Sequence, residues 1–368
     1  MTGTPRRLTQ RDIARMTGVS QATVSLVLNG RSDGDVRIAP ETRERVLQAI
    51  RDSGYVADPI ARRLAARDNR IIGVFTYEPV FPAGNSDFYH PFLVGIEERA
   101  EALGSDLLLL TSAPVVDGRR RIFHEGNRLR LADGCVLLGR SLDREELARL
   151  VADGFPFVSV GRRDDAGGPV PYVGADYAGA TVTLVRRAVA LGHTRLLYMG
   201  QGEGPESHAD RKAGFDRGVA EAGVTGLHLP AGDLDAVLDS GATAVFAEEH
   251  SEGVALAARS AEIAEKRTNT PSGEKSDKSR RGAPDLSPSR AGRPVGPAAE
   301  LSIVTLGQPT RNVTDPTGTE FTGFKIPRRE MGAQALEVLT ALIDGKKTQR
   351  QRVLTCELIP GTTLNERR

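Results

Sequence analysis

Tryptophan is absent from this 368-residue chain, and the only aromatics are 11 phenylalanines and 6 tyrosines. Cysteine occurs twice, at Cys135 and Cys356, which excludes a disulfide framework; each lies in an apolar, strand-like run and is expected to be a free buried thiol. No apolar run reaches the roughly 18 residues a membrane helix needs, so no membrane partner is expected. The segment Met1–Arg15 has charge but no apolar core, so no signal peptide is read and the expected location is the cytoplasm. The six histidines, at 90, 124, 193, 208, 228 and 250, show no metal-ligand spacing. A nucleophile elbow is missing. The run Gly200-Gln201-Gly202-Glu203-Gly204 has neither the helix-opening GxGxxG nor a Gly-Lys-Ser/Thr, and reads as a glycine-rich loop. Neither a metal nor a cofactor is therefore expected, and an enzyme finds little support.

What is present is an uneven charge distribution. Residues 1–70 hold 13 Arg and no Lys against 8 Asp/Glu, and residues 266–300 hold 8 Lys/Arg against 4 Asp/Glu. Net charge is only +1, so the remainder is acidic. A basic head on an acidic body fits a protein that presents one end to phosphate.

Residues 8–54 read as three short helices. Thr9 caps the first, with Asp12 three residues on, and Gly18 ends it. Ser20 caps the second, whose apolar face is Val24, Val27 and Leu28. Pro40 opens the third, with Val46, Leu47 and Ile50 inward. Asp58-Pro59 begins a further short helix that is marginal alone in water. From Ile71 onward strands and helices alternate. The strands are Ile71–Tyr77, Asp106–Leu110, Gly134–Leu138, Pro156–Val160, Tyr172–Gly174, Arg195–Met199, Leu227–Leu229, Ala244–Ala247 and Ser302–Leu306. Between them are predicted helices Phe92–Leu103, Arg119–Ala132, Leu142–Asp153, Ala178–Leu191, His208–Ala222, Leu234–Asp239 and Glu252–Lys266. Two such series predict two lobes of parallel sheet covered by helices, with a cleft between them. Residues 267–300, rich in Pro, Gly, Ser and charge, cannot build a core and are expected to be a disordered insertion.

The stretches LTQRDIARMTGVSQATVSLVLNG and VRIAPETRERVLQAIRDSGYVADPIARRLAARDNRIIGVF closely resemble the LacI/GalR family of bacterial transcription regulators. Gly18-Val19-Ser20, Thr23-Val24-Ser25, Thr42-Arg43, Gly54-Tyr55 and Ala61-Arg62-Arg63-Leu64-Ala65 carry the likeness. It continues more weakly through PFLVGIEERAEALG, LADGCVLLG, VGADYAGA, LGHTRLLYMG and ADRKAGF. The resemblance implies an α/β protein: an all-α helix-turn-helix head on a two-lobed, periplasmic-binding-protein-like body with parallel sheets. The expected boundaries are 1–57 for the DNA-binding head, 58–70 for a hinge, and 71–368 for the body. Lobe 1 is expected over about 71–173 and 321–345, and lobe 2 over about 174–320 and 346–368.

By the same resemblance, Gln21, Ala22 and Leu26 read base edges in the major groove, and Thr9, Ser20, Thr23, Asn29 and Thr42 contact phosphate. Gln21 can pair bidentately with adenine; Ala22 and Leu26 offer only apolar contact. The hinge helices of two subunits would meet in the minor groove, with Leu64 wedged between base steps and Ala61 and Ala65 allowing close approach. In the body, Arg211, Asp176 and Glu248 are expected at a cleft that binds a small-molecule effector, with Phe88, Tyr89 and Phe92 stacking on it. The chain departs from the family pattern at Glu248-Glu249 and at Gly307-Gln308-Pro309-Thr310, which argues against a simple sugar as effector. The expected partners are double-stranded operator DNA, a polar effector and a second copy of the chain, as a dimer without a tetramerising heptad. Repression modulated by the effector is the expected function. A corepressor-dependent regulator, an activator, or a ligand-binding module without turnover are the alternatives.

Overall fold

The computed structural model describes residues 8–29, 38–53, 55, 70–78, 83–268, 301–308 and 318–367; for residues 29, 83–87, 267 and 268 only the backbone is described. The hinge residues Ala61, Leu64 and Ala65, and the insertion from residue 269 to 300, lie outside the described residues. The chain divides into two compact units, Met1–Asn69 and Arg70–Arg368.

The first unit contains helices α1 (Gln10–Thr17), α2 (Gln21–Asn29) and α3 (Pro40–Ser53). The Thr9 hydroxyl accepts from the Asp12 amide while the Asp12 carboxylate accepts from the Thr9 amide, closing a capping box. Gly18, at φ 67°, ends α1 in the left-handed region that only glycine enters cheaply. Ser20 Oγ accepts from the Thr23 amide at 3.0 Å and starts α2. Ile13, Ala14, Val24, Val27, Val46 and Tyr55 are buried together, with Leu28, Leu47 and Ile50 packed against them.

The described part of the second unit holds two six-stranded sheets and a small two-stranded one. Its elements, in order, are β1 (Ile71–Thr76), α4 (Ala83–Leu103), β2 (Asp106–Leu110), β3 (Val115–Val116), β4 (Arg119–Arg120), β5 (Gly134–Leu138), α5 (Arg144–Ala152), β6 (Phe157–Val160) and β7 (Tyr172–Ala175). There follow α6 (Tyr177–Ala190), β8 (Arg195–Met199), α7 (Glu206–Ala222), β9 (Thr225–Leu229), α8 (Leu234–Asp239), β10 (Ala244–Ala247) and α9 (His250–Thr268). The chain closes with β11 (Ser302–Thr305), β12 (Thr322–Lys325), α10 (Arg328–Ile343), β13 (Gln351–Leu354) and β14 (Glu357–Ile359). Lobe 1 has the order β13-β7-β6-β5-β1-β2, all parallel; lobe 2 has β14-β12-β11-β10-β8-β9, with only β14 antiparallel. Alternate residues of a strand face opposite sides. Val74 and Tyr198 enter one apolar cluster, whereas their neighbours Phe75 and Leu197 enter others, so both faces of each sheet are covered.

Three expectations need correction. The predicted helix over Arg119–Ala132 does not form. Arg119–Arg120 pairs instead with Val115–Val116, and Asn127 bends the chain by accepting from the Leu129 amide and donating to the Ile122 carbonyl; only a short 3₁₀ turn, Leu129–Leu131, remains. Helix α4 begins at Ala83 rather than Phe92 and carries Pro91 inside it. The lobe boundaries also move. Strand β7 pairs with β6 and β13, so Gly174–Ala175 and the whole of β13, both expected in lobe 2, belong to lobe 1, while β12, expected in lobe 1, lies in lobe 2. The chain therefore crosses between lobes at three places: between Ala175 and Tyr177, between Lys325 and Arg328, and between Leu354 and Glu357.

Candidate functional site

In the head, the buried stripe of α2 turns the opposite face to solvent. Gln21 and Ala22 are exposed and Leu26 is half-buried. Arg11 Nε, on α1, donates to Gln21 Oε1 at 3.2 Å, which restricts the amide that would read a base. Thr9 and Ser20 are exposed at the helix starts they cap, and Thr23 Oγ1 lies 2.9 Å from Ser20 Oγ. Thr42 is half-buried in the first turn of α3. Asn29 closes α2, and its side chain lies outside the described residues.

In the body, a cleft opens at the carboxyl ends of the strands of both sheets. That is where doubly wound sheets bind ligands, because the strand-to-helix loops converge there. Phe88, Tyr89 and Phe92 of α4 line it, as does Arg211 of α7. Phe88 stacks edge-on against both neighbours, and the Tyr89 hydroxyl donates to Glu78. Arg211 is only 4% exposed; its guanidinium lies 4.6 Å above the Tyr177 ring, and its terminal nitrogen is 3.5 Å from Glu249. A surface pairing of Arg211 with Asp210 or Asp216 is ruled out, since Asp210 holds Arg162 and Asp216 holds Lys212.

Two expected ligands are absent from the lining. Asp176 is the N-cap of α6, and its carboxylate accepts from the Gly179 amide at 2.8 Å. Glu248 is 1% exposed, accepts from the Gly202 amide and lies 2.8 Å from His208 Nδ1. Its neighbour Glu249 faces the cleft instead. His208 sits between the two carboxylates; burial opposes its charge, but Glu248 and Glu249 outweigh burial and raise its pKa to about 9. Burial acts against the Glu249 charge too, yet His208, Arg211 and Arg140 draw that carboxyl down to about 2.

Sequence reasoning missed Arg140, Arg162, Arg163, His208, Glu249 and Arg328. Their signal was position. Arg140 follows β5, Arg162 and Arg163 follow β6, Glu249 follows β10, and Arg328 follows β12. Two ion pairs span the cleft: Arg162 of lobe 1 grips Asp210 at 2.9 and 3.0 Å, and buried Arg163 bonds Glu206 at 2.9 Å. Among the described residues no group of His, Cys, Asp and Glu is placed to hold a metal ion, and no helix is long and apolar enough to cross a membrane.

A three-helix head with an exposed second helix, followed in the chain by a two-lobed body with a cleft at its strand ends, is the build of a ligand-responsive DNA-binding regulator. Comparison with known proteins places the chain more narrowly. Residues 9–58 match the family model of bacterial regulatory proteins, lacI family, and residues 79–266 match that of periplasmic binding proteins and the sugar binding domain of the LacI family. The chain belongs to this family. Catabolite control protein A of Priestia megaterium is 29% identical over 64% of this chain and 68% of its own length. The HTH-type transcriptional regulator CelR of Thermobifida fusca is 30% identical over 65% of this chain and 69% of its own. The regulator AglR of Rhizobium meliloti is 32% identical over 58% of each; the chain thus spans less than two thirds of some relatives. Among solved structures, the lac repressor dimer bound to operator and an anti-inducer shares the fold at a TM-score of 0.66 and 18% identity, over 98% of this chain and 100% of that one. A CelR–cellobiose complex gives 0.58 at 22% identity, over 97% and 100%. The chain is accordingly a DNA-binding regulator of transcription with an effector-binding body, and not an enzyme.

Proposed function

We propose that this chain represses transcription in the cytoplasm as a homodimer, gripping a palindromic operator with two copies of α2 and releasing or tightening that grip when a small molecule fills the body cleft. The observation that carries the reading is the head: Gln21 and Ala22 stand exposed on a capped helix whose other face is fully packed. Gln21, Ala22 and Leu26 read bases, and Thr9, Ser20, Thr23, Asn29 and Thr42 fix the register on phosphate. Leu64, with Ala61 and Ala65, wedges the minor groove between half-sites. The edge strand β2 supports self-association: Leu107 is exposed and Leu108–Leu110 are only partly covered. Phe88, Tyr89, Phe92 and Arg211 hold the effector, and the cleft-spanning pairs Arg162–Asp210 and Arg163–Glu206 couple its occupancy to the posture of the lobes. The name "sugar-binding" attached to the matched family model and the cellobiose of the CelR structure support a small polar effector. Selection of random duplex DNA by the full-length protein tests the reading. A palindrome with a flexible central step is expected; recovery of no motif, with binding that vanishes as salt rises, would overturn it.

A further inference from the structure

Five arginines line the cleft against two carboxylates, Asp210 and Glu249. Both carboxylates are already engaged, Asp210 by Arg162 and Glu249 by His208 and Arg211. Arg163 is neutralised by Glu206 and bonds two carbonyls through its terminal nitrogens, with only its Nε left unpartnered. Arg328 is different. It is 7% exposed, no carboxylate among the described residues pairs with it, and its Nε finds no hydrogen-bonding partner there. Nε of Arg211 is also without a hydrogen-bonding partner, and its terminal nitrogen meets Glu249 only as a 3.5 Å ion pair that falls short of a hydrogen bond. Arg328 and Arg140 lie 4.9 and 4.7 Å from the centroid of the same Phe88 ring, so two cations share one aromatic surface at the cleft. Glu249 attracts the Arg328 charge only from a distance, and burial outweighs it; a buried charge so weakly countered is costly, and an anion entering the cleft relieves that cost.

The helix ends repeat the pattern. Helices α1, α5, α6 and α8 are capped by the side chains of Thr9, Asp143, Asp176 and Asp233. Of the three whose first turns line the cleft, α6 is thus closed by Asp176, but α7 and α10, which carry Arg211 and Arg328, open on Pro205 and Pro327, neither of which offers a capping side chain. Uncapped helix starts leave N–H groups and the positive dipole end available to an anion.

Resting on the effector-binding reading above, we propose that the cleft takes a small molecule bearing an oxyanion, a carboxylate or phosphate, held by Arg328, Arg211 and Arg140 at the open ends of α7 and α10, with its carbon skeleton against Phe88 and Phe92. A neutral sugar leaves Arg328 unneutralised and binds poorly.

The test is calorimetric titration of the full-length protein, at ionic strength fixed with chloride. The probes are glucose, glucose 6-phosphate, glucuronate, ribose, ribose 5-phosphate and inorganic phosphate. Charged members are expected to bind at least tenfold tighter than their neutral parents, with the phosphate and carboxylate arms showing which oxyanion fits. Arg328→Gln, and separately the exposed and fold-neutral Arg140→Gln, should each erase that preference. Neutral parents binding as well as the charged probes would overturn the proposal and leave the effector cleft standing. Charged probes binding both variants as well as the unaltered protein would place the anion elsewhere and equally overturn it. Binding of no probe at all would count against both readings.

Discussion

His208 shows how one side chain joins electrostatics to stability. Its ring lies 2.8 Å from Glu248 and 3.3 Å from Glu249, and its pKa stands at about 9 instead of 6.5. A group whose folded pKa is raised contributes stability that is complete below its unfolded pKa and is lost as pH climbs through the folded one. The melting temperature should therefore fall between about pH 6.5 and 9, by an amount worth at most roughly 3 kcal/mol. His208→Gln should flatten that decline, and an unchanged slope in the variant would refute the assignment. Gln21 makes the matching case in the head. If it reads a base, Gln21→Ala should weaken binding to the selected operator about 10- to 100-fold and relax the choice at one position, as loss of a bidentate contact does. Equal weakening on every sequence would mark it as a phosphate contact. The residue scale is also where sequence reading was least complete. Phe88, Tyr89, Phe92 and Arg211 all line the cleft, the three aromatics because the helix that carries them starts nine residues earlier than its sequence pattern predicts. Asp176 was drawn into capping α6, a local role that competes with any ligand role for an aspartate at a helix start. Glu248 and Glu249 exchanged roles because adjacent residues leaving a strand face opposite ways.

At the scale of elements, the alternating strands and helices were mostly legible between Ile71 and Leu306, where short apolar runs such as Cys135–Leu138 or Ala244–Ala247 fit doubly covered strands, but β12, α10, β13 and β14 were not read. What was not legible depended on contacts between elements. The hairpin at Val115–Arg120 displaced a helix that its sequence allowed, and the lobe to which β12 belongs is decided by its pairing with β11 and β14. The crossing of α4 over α10 is one such contact. A Cβ on Gly95 would come within 1.9 Å of the Arg329 carbonyl oxygen, and one on Gly332 within 2.2 Å of the Phe92 carbonyl oxygen. The two backbones touch through reciprocal glycines, with Phe88 and Phe92 on one helix and Arg328 and Met331 on the other at the cleft. Gly332→Ala is expected to force them apart, costing about 1–3 kcal/mol and weakening ligand binding along with the melting temperature. A variant with unaltered melting would show that the crossing yields without strain.

At the scale of the molecule, head and body hold separate cores. Ile13 is fully buried in the small head cluster, and Ile13→Ala should remove about 2–5 kcal/mol from it. DNA binding should then collapse while the body's melting transition and its response to ligand stay unchanged; loss of both together would show that the units fold as one.

The three passages of chain between the lobes have a mechanical meaning. Two plates stitched by three adjacent straps resist sliding and twisting but keep one easy rotation, like a book held at its spine. Tyr177 follows the first strap, Ile326 lies in the second and Arg328 follows it, and all three touch the cleft. A molecule bound there rests on the spine as well as between the covers. Its size and charge bear directly on the angle at which the book stands open, and a single cut in any one strap would leave the covers joined but free to skew.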